Sequence, residues 1–327
     1  MSGGVYLDAY LAPLASWLER EDVTDLMVNR PGEVWVETAA GAIACEPAPQ
    51  ITELALNRLA RQIAAASHQG VNREHPLLSA TLPGGARVQV VSPPAARDGL
   101  VLAVRKHVIS DLTLDELDQA GLFAARGAGA ASDADAELQA LLDRGETSAF
   151  LKLAVKRRKT VVISGGAGAG KTTLLNALVK EIDPAERLIV IEDAPEIRLD
   201  RANAVGLVAV RGDQGEARVD ADDLLRASLR LRPDRILLGE LRGPEAFAFL
   251  RAVNSGHPGS ITTVHADSPD GAMHQIALLA LTSGLELGWS QLMTYVEQVI
   301  DVVVQLDRRG GRRGVAEVRF RPRAIAA

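Results

Sequence analysis

Thr160-Val161-Val162-Ile163-Ser164 runs straight into Gly165-Gly166-Ala167-Gly168-Ala169-Gly170-Lys171-Thr172, and residues 173–181 then take on a helical pattern. A short apolar strand, a glycine loop and a helix in that order spell a phosphate-binding unit, G-x-x-x-x-G-K-T in the setting that gives the motif its meaning. The glycines let successive backbone N–H groups converge on phosphate oxygens where side chains would block approach. The following helix turns its positive end toward the same anion. On this reading Gly165, Gly166, Ala167, Gly168, Ala169, Gly170, Lys171, Thr172 and Thr173 cradle a nucleotide. Lys171 is expected to reach the β- and γ-phosphates, and the Thr172 hydroxyl to ligate Mg²⁺.

Downstream, short continuous apolar runs alternate with helix-patterned segments, which is how buried parallel strands with crossover helices read. Residues 188–191 stop at Glu192-Asp193 with Glu196 close behind, residues 235–238 stop at Gly239-Glu240, and residues 260–264 stop at His265. Ligands of a parallel α/β sheet bind beyond the carboxyl ends of its strands. The phosphate loop, an acidic pair, a lone glutamate and a histidine are therefore expected at one edge. Glu240 is the candidate general base for the water that attacks the γ-phosphate. The segment Ile236-Leu237-Leu238-Gly239-Glu240 lacks the aspartate that most phosphate-loop proteins place at this strand's end to hold Mg²⁺ through water, so Glu192 or Asp193 is the candidate for that part. His265 is a candidate γ-phosphate sensor. Phosphoryl transfer gains from an arginine near the developing charge. Arg226, Arg230 and Arg232 on the way to the Glu240 strand, and Arg87 and Arg105 in the first half of the chain, are all candidates. Nothing like N-K-x-D follows the loop, so ATP is expected by default.

The first ~120 residues read as a mixed α/β unit. Arg30-Pro31-Gly32-Glu33 is a turn signal between two apolar runs, residues 51–66 carry helical spacing, and residues 87–91 and 100–106 read as strands. Residues 123–136 are poor in bulky apolar side chains and read as a linker, which gives a domain at 1–122 and a second at 137–327. The net charge of −6 and only 11 aromatic residues argue against a strong nucleic-acid binder, which needs a basic field and stacking surfaces. Basic clusters at residues 156–159 and 308–313 read as solvated faces. A single cysteine, Cys45, excludes an intrachain disulfide and a multi-cysteine zinc site, and no apolar run reaches membrane-spanning length. A reducing, cytoplasmic location is the expectation.

The order GGAGAGKTTLLNAL (165–178), LIVIEDAPEIRL (188–199), LLRASLRLRPDRILLGELRG (224–243) and GHPGSITTVHADS (256–268) resembles the secretion ATPase superfamily, the motors of type II and type IV secretion and of type IV pili. The four segments look like its Walker A, acidic, atypical Walker B and histidine boxes. VTDLMVNRPGEVWVE (23–37) and NSGHPGSITTVHADS (254–268) look closest to the traffic ATPases of type IV secretion systems. The resemblance implies a RecA-like domain with a mostly parallel sheet behind a smaller α+β domain, ATP and Mg²⁺ as ligands, and a homohexamer. It implies a peripheral position at the cytoplasmic face of the inner membrane, with other secretion ATPases, inner-membrane components and a protein or DNA–protein cargo as partners. Domain closure over ATP would be its working step. It implies metal and water support from Glu192 and Asp193, γ-phosphate sensing by His265, and Arg87 and Arg105 brought onto the nucleotide. Ala167 and Ala169 stand where relatives commonly carry Thr and Ser. A retraction-type pilus motor, a type II secretion motor, a weakly hydrolysing nucleotide-gated scaffold and, least favoured, a helicase are the alternatives.

Overall fold

The computed structural model describes residues 3–106, 113–119, 121, 123, 129–210, 215–284 and 286–322. The chain begins with helices α1 (Gly3–Leu11) and α2 (Ala15–Leu18), then strands β1 (Val23–Val28), β2 (Gly32–Thr38) and β3 (Ile43–Ala48). Helix α3 (Glu53–Ala66) follows, and β4 (Leu77–Thr81), β5 (Arg87–Val91) and β6 (Val101–Arg105) complete an antiparallel sheet of order β3-β2-β1-β6-β5-β4. The expected hairpin is β1–β2, with Leu26 opposite Val36 and Met27 opposite Trp35. The expected helix is α3, whose Thr52 hydroxyl accepts the Ala55 amide at 3.1 Å and so caps an otherwise orphaned donor.

A half-exposed antiparallel strand should alternate apolar with polar, yet residues 26–28 of β1 and 101–104 of β6 are unbroken apolar runs. The sheet is buried on both faces. Leu26, Val28, Leu102 and Val104 pack against Leu56, Leu59 and Ile63 of α3, while Met27, Val101 and Ala103 join the core of the second half of the chain.

Short helices α4 (Leu114–Gln119), α5 (Gly129–Asp143) and α6 (Thr147–Lys156) lead onward. Residues 129–136, expected in a linker, are the first turns of α5, because the alanines that make this stretch poor in bulk also favour helix. Residues 124–128 of the same expectation lie outside the described residues. The second sheet contains β7 (Val161–Gly165), β8 (Leu188–Glu192), β9 (Ala204–Val208), β10 (Arg235–Leu241), β11 (Ile261–Val264), β12 (Val302–Arg309) and β13 (Arg312–Phe320). Between them run α7 (Lys171–Val179), α8 (Ala221–Ser228), α9 (Glu245–Asn254), α10 (Pro269–Leu281) and α11 (Trp289–Val299). The order is β13-β12-β7-β11-β10-β8-β9, parallel except for the β12–β13 hairpin.

Alternate side chains of these strands enter cores on opposite faces. Val162, Ile189, Ile191, Ile236, Leu238 and Val303 serve one face, and Val161, Ile163, Val190, Leu237, Val302 and Val304 the other. Each such burial stabilises by roughly 1.5–3 kcal/mol. Strand β9 at the far edge does not end in solvent. Residues 95–97 from the first half lie along it, with the Val208 amide donating to Ala95 O at 2.7 Å and the Arg97 amide to Gly206 O at 2.9 Å. Deeper in the seam, the Arg187 guanidinium is fully buried and donates to Asn29 Oδ1 (2.7 Å), Asn203 Oδ1 (2.5 Å) and Leu231 O (2.8 Å). Burial, aided by the Arg232 charge, pushes it down to about 9, which leaves it protonated at neutral pH. Arg232 forms a bidentate pair with Glu37 on the same seam.

Candidate active site

Strand β7 places the phosphate loop where the parallel strands end. A Cβ on Gly165 would stand 2.8 Å from Leu306 O, so only glycine lets the chain leave β7 beside β12. Gly170 has φ +103°, the left-handed turn from which α7 starts with its N–H groups aimed back into the loop. The loop opens on a cleft of about 460 Å³, lined by residues 166–173 and by Glu192, Asp193, Glu196, Glu240, Arg242 and His265. Every phosphate-loop, acidic and histidine candidate except the strand-end Gly165 therefore borders one space.

Lys171 folds back into the loop, donating to Gly165 O at 2.9 Å, and its ammonium lies 3.2 Å from His265 Nδ1. Burial pushes the lysine down, since a desolvated ammonium is costly until an anion arrives. Donation from Lys171 into Nδ1 leaves the imidazole proton on Nε2, which stands 3.0 Å from Glu240 Oε1. The other carboxylate oxygen, Oε2, accepts from Arg242 Nη2 at 2.7 Å, and Arg242 Nη1 lies 3.5 Å from Asp193 Oδ2. Glu240 Oε1 is buried and makes no aligned hydrogen bond among the described residues, so this oxygen of the candidate base lies beside His265 with a lone pair unengaged.

Burial alone would raise the Glu240 carboxyl, but the Arg242 hydrogen bond, the neighbouring His265 ring and the charges of Arg242 and Lys171 outweigh it and hold the group below its ordinary value of about 4.5. A depressed carboxylate contributes stability above its unfolded value and loses it as pH falls through the folded one. With the carboxyl held below its ordinary value, protonation of Glu240 limits hydrolysis only on the acid side of the ordinary carboxylate range. Arg242→Ala removes the hydrogen bond and moves that acid limb upward, which a profile of log kcat against pH reads directly. A limb unmoved by Arg242→Ala would show that Arg242 does not set the ionisation of Glu240.

Glu192, at the end of β8, is 4% exposed. Its Oε1 accepts the Glu196 and Ile197 amides at 2.9 and 2.8 Å, and Arg97 Nη1 lies 3.2 Å from its Oε2. Burial still leaves the carboxyl raised, against the pull of those amides and of Arg97. Gly239 on the neighbouring strand explains the missing aspartate, because a Cβ there would stand 3.3 Å from Glu192 Cγ. A side chain at 239 would fit only if Glu192 gave way by a few tenths of an ångström. Thr172 Oγ1 donates to Glu196 Oε2 at 3.0 Å, so an all-oxygen set of hydroxyl and carboxylate borders the loop. That chemistry fits Mg²⁺, which uses few protein ligands and keeps waters and phosphate oxygens. Among the described residues no cluster of three acidic or histidine groups forms a cage of its own.

Arg87 and Arg105 are not brought to the cleft of their own chain. They face each other across β5 and β6, Arg87 exposed and Arg105 paired with Asp25 at 2.8 Å, with Arg105 on a separate depression lined also by Glu37 and Arg232. The residue of the first half that does reach the acidic box is Arg97, and it arrives because residues 95–97 are pinned to β9. Sequence reasoning missed Arg97 and Arg242. Arg97 sits in a loop without periodicity, and Arg242 had only its place two residues beyond the strand-end glutamate to mark it.

Residues 9–323 match the family described as Type II/IV secretion system protein. The chain is 43% identical to the type IV secretion system protein PtlH of Bordetella pertussis over 96% of its own length and 95% of that protein. It is 36% identical to the type IV secretion system protein VirB11 of Bartonella quintana over 95% of this chain and 92% of the relative. Among solved structures it is similar to the VirB11 ATPase of the Brucella suis type IV secretion system, in complex with sulphate, with a TM-score of 0.90 and 36% identity over 97% of this chain and 98% of that one.

Proposed function

The chain belongs to the type II/IV secretion system protein family, and on that premise we propose that it is a homohexameric motor that hydrolyses ATP to drive export through a type IV secretion system. The observation that carries the reading is the series of contacts from Lys171 through His265 to Glu240, which sets the Glu240 carboxylate beside the phosphate loop with Oε1 engaged in no aligned hydrogen bond. Lys171 exchanges its carbonyl partners for β- and γ-phosphate oxygens, and the loop amides hold the rest of the chain of phosphates. Glu240 Oε1 takes the proton of the attacking water as its oxygen bonds to the γ-phosphorus. The bond from that phosphorus to the β–γ bridging oxygen breaks, releasing ADP and phosphate. His265, touching both Lys171 and Glu240, senses whether a γ-phosphate lies between them. Mg²⁺, held by Thr172 Oγ1 with Glu196 and Glu192 behind it, would neutralise phosphate charge when bound.

In this proposal the motor sits at the cytoplasmic face of the inner membrane and works with the system's other ATPases and inner-membrane components on a protein or DNA–protein cargo. No described helix is long and apolar enough to cross a membrane, which suits a peripheral attachment. The test is ATP hydrolysis per subunit against protein concentration, with molecular size read on the same samples. A specific rate that rises as a six-membered species forms is the expected result. Full activity in a monomer at every concentration would overturn the ring.

A further inference from the structure

The cluster at residues 308–313 reads in sequence as a solvated face; all six residues are exposed, and the fold also sets two of them beside the phosphate loop. Strand β12 pairs with β7 in parallel register, with Leu306 opposite Gly165, so the hairpin tip projects beyond the start of the loop. Arg308 and Arg313 are direct cross-strand partners, as are Arg309 and Arg312 one step further out. Because successive strand residues face opposite sides, Arg308 and Arg313 share one face and Arg309 and Arg312 the other. The inner pair lies on the loop. A Cβ on Gly168 would stand 4.0 Å from Arg308 Nη1, one on Gly170 would stand 3.5 Å from Arg313 Cδ, and Arg313 borders the cleft. Neither makes an ion pair among the described residues, whereas Arg309 pairs with Asp307 at 2.6 Å. Like charges set directly opposite each other repel. Two guanidinium groups set opposite each other beside a loop built for anions suit an anion shared between them.

The sheet order says which part of the nucleotide that is. Lys171, His265 and Glu240 gather on the β11 and β10 side of β7, so the γ-phosphate lies there, and β12 flanks β7 on the opposite side. A triphosphate threaded through the loop therefore sends its α-phosphate and nucleoside toward the β12–β13 hairpin. We propose that Arg308 and Arg313 form the subsite for the nucleoside end of ATP, pairing with the α-phosphate and laying a planar guanidinium on the purine. Arginine suits both tasks, since it binds phosphate through its fork and stacks on aromatic faces. The inference rests on the ATPase reading above and adds to it the residues that hold the base.

The test measures equilibrium binding of ATP, ADP and pyrophosphate to the full-length chain and to Arg308→Ala, Arg313→Ala, Arg312→Ala and Lys171→Ala, with thermal melting to confirm that each is folded. Loss of a charge-assisted contact should weaken ATP and ADP roughly tenfold in each of the two inner-face variants. Pyrophosphate binding should stay near wild type in them, and Arg312→Ala, with the same charge removed from the outer face, should bind all three ligands normally. Equal weakening of pyrophosphate and ATP, an equal effect from Arg312→Ala, or no effect from either inner-face variant would each overturn the subsite. Failure of the ATPase reading looks different: wild type would bind none of the ligands, or Lys171→Ala would bind them as well as wild type does.

Discussion

Glu240→Gln retains ATP and stops its turnover, with hydrolysis falling by about 10²–10⁴-fold, the usual contribution of a positioned general base. The substitution keeps shape and most contacts. An amide oxygen still accepts from Arg242 Nη2, now 2.7 Å from Glu240 Oε2, and a neutral side chain at this half-buried site needs no compensating charge. What changes is the other atom. With the amide oxygen kept on Arg242, Oε1 is replaced by an N–H₂ group, which has no lone pair with which to take a proton from water. Phosphate release under saturating ATP gives the rate, and a fluorescent ATP analogue gives binding. Turnover within about tenfold of wild type would place the base elsewhere, and a matching loss of binding would show that Glu240 supports the loop instead.

The largest stability effect is expected away from the cleft, at Glu186. Arg235, the first residue of β10, has a side chain only 1% exposed. Its guanidinium donates to both oxygens of Glu186, at 2.6 and 2.7 Å, and to Val155 O at 2.9 Å. It thereby ties the start of a central strand to the end of α6. Glu186→Ala leaves that cation buried and short of its carboxylate, which costs about 3–5 kcal/mol. Total stability for a chain of this kind is about 5–15 kcal/mol, so the shift in urea midpoint should be plain, with the slope unchanged. Replacing both partners, as Glu186→Leu with Arg235→Met, should recover most of the loss because the fully buried cation goes with its carboxylate, and Arg158, 3.6 Å from Glu186, keeps access to water. A single variant within about 1 kcal/mol of wild type would mean that water reaches the guanidinium and serves it as well.

The parallel sheet and its functional edge were legible because each strand is a short apolar run stopped by a polar residue, and the stops share one edge. The hairpin at Arg30–Glu33 and helix α3 were legible for the same local reason, turn chemistry and periodicity. What escaped was written between distant residues. Arg97 and Glu192 stand 95 positions apart, and nothing near either one announces the other. Strand β9, five residues with a glycine in the middle, is too short and weak a pattern to stand out. The two-sided burial of β1 and β6 shows in their unbroken apolar runs, but the identity of the second covering layer does not. The basic run at 308–313 changes meaning only when register turns Arg308 and Arg313 inward and Arg309 and Arg312 outward.

The seam along β9 has a mechanical side. A displacement of the N-terminal sheet loads the Val208–Ala95 and Arg97–Gly206 hydrogen bonds along with the other bonds of the seam. Through the Arg97 guanidinium the load passes to Glu192 and to Ile197 O, through the Glu192 carboxylate to the Glu196 and Ile197 amides, and through the Glu196 side chain to the Thr172 hydroxyl. No link in that series is a long flexible tether; every one is a direct bond. The first half of the chain is thus a handle fixed to the floor of the phosphate site, and force applied to it arrives at the residue where the nucleotide's metal would sit.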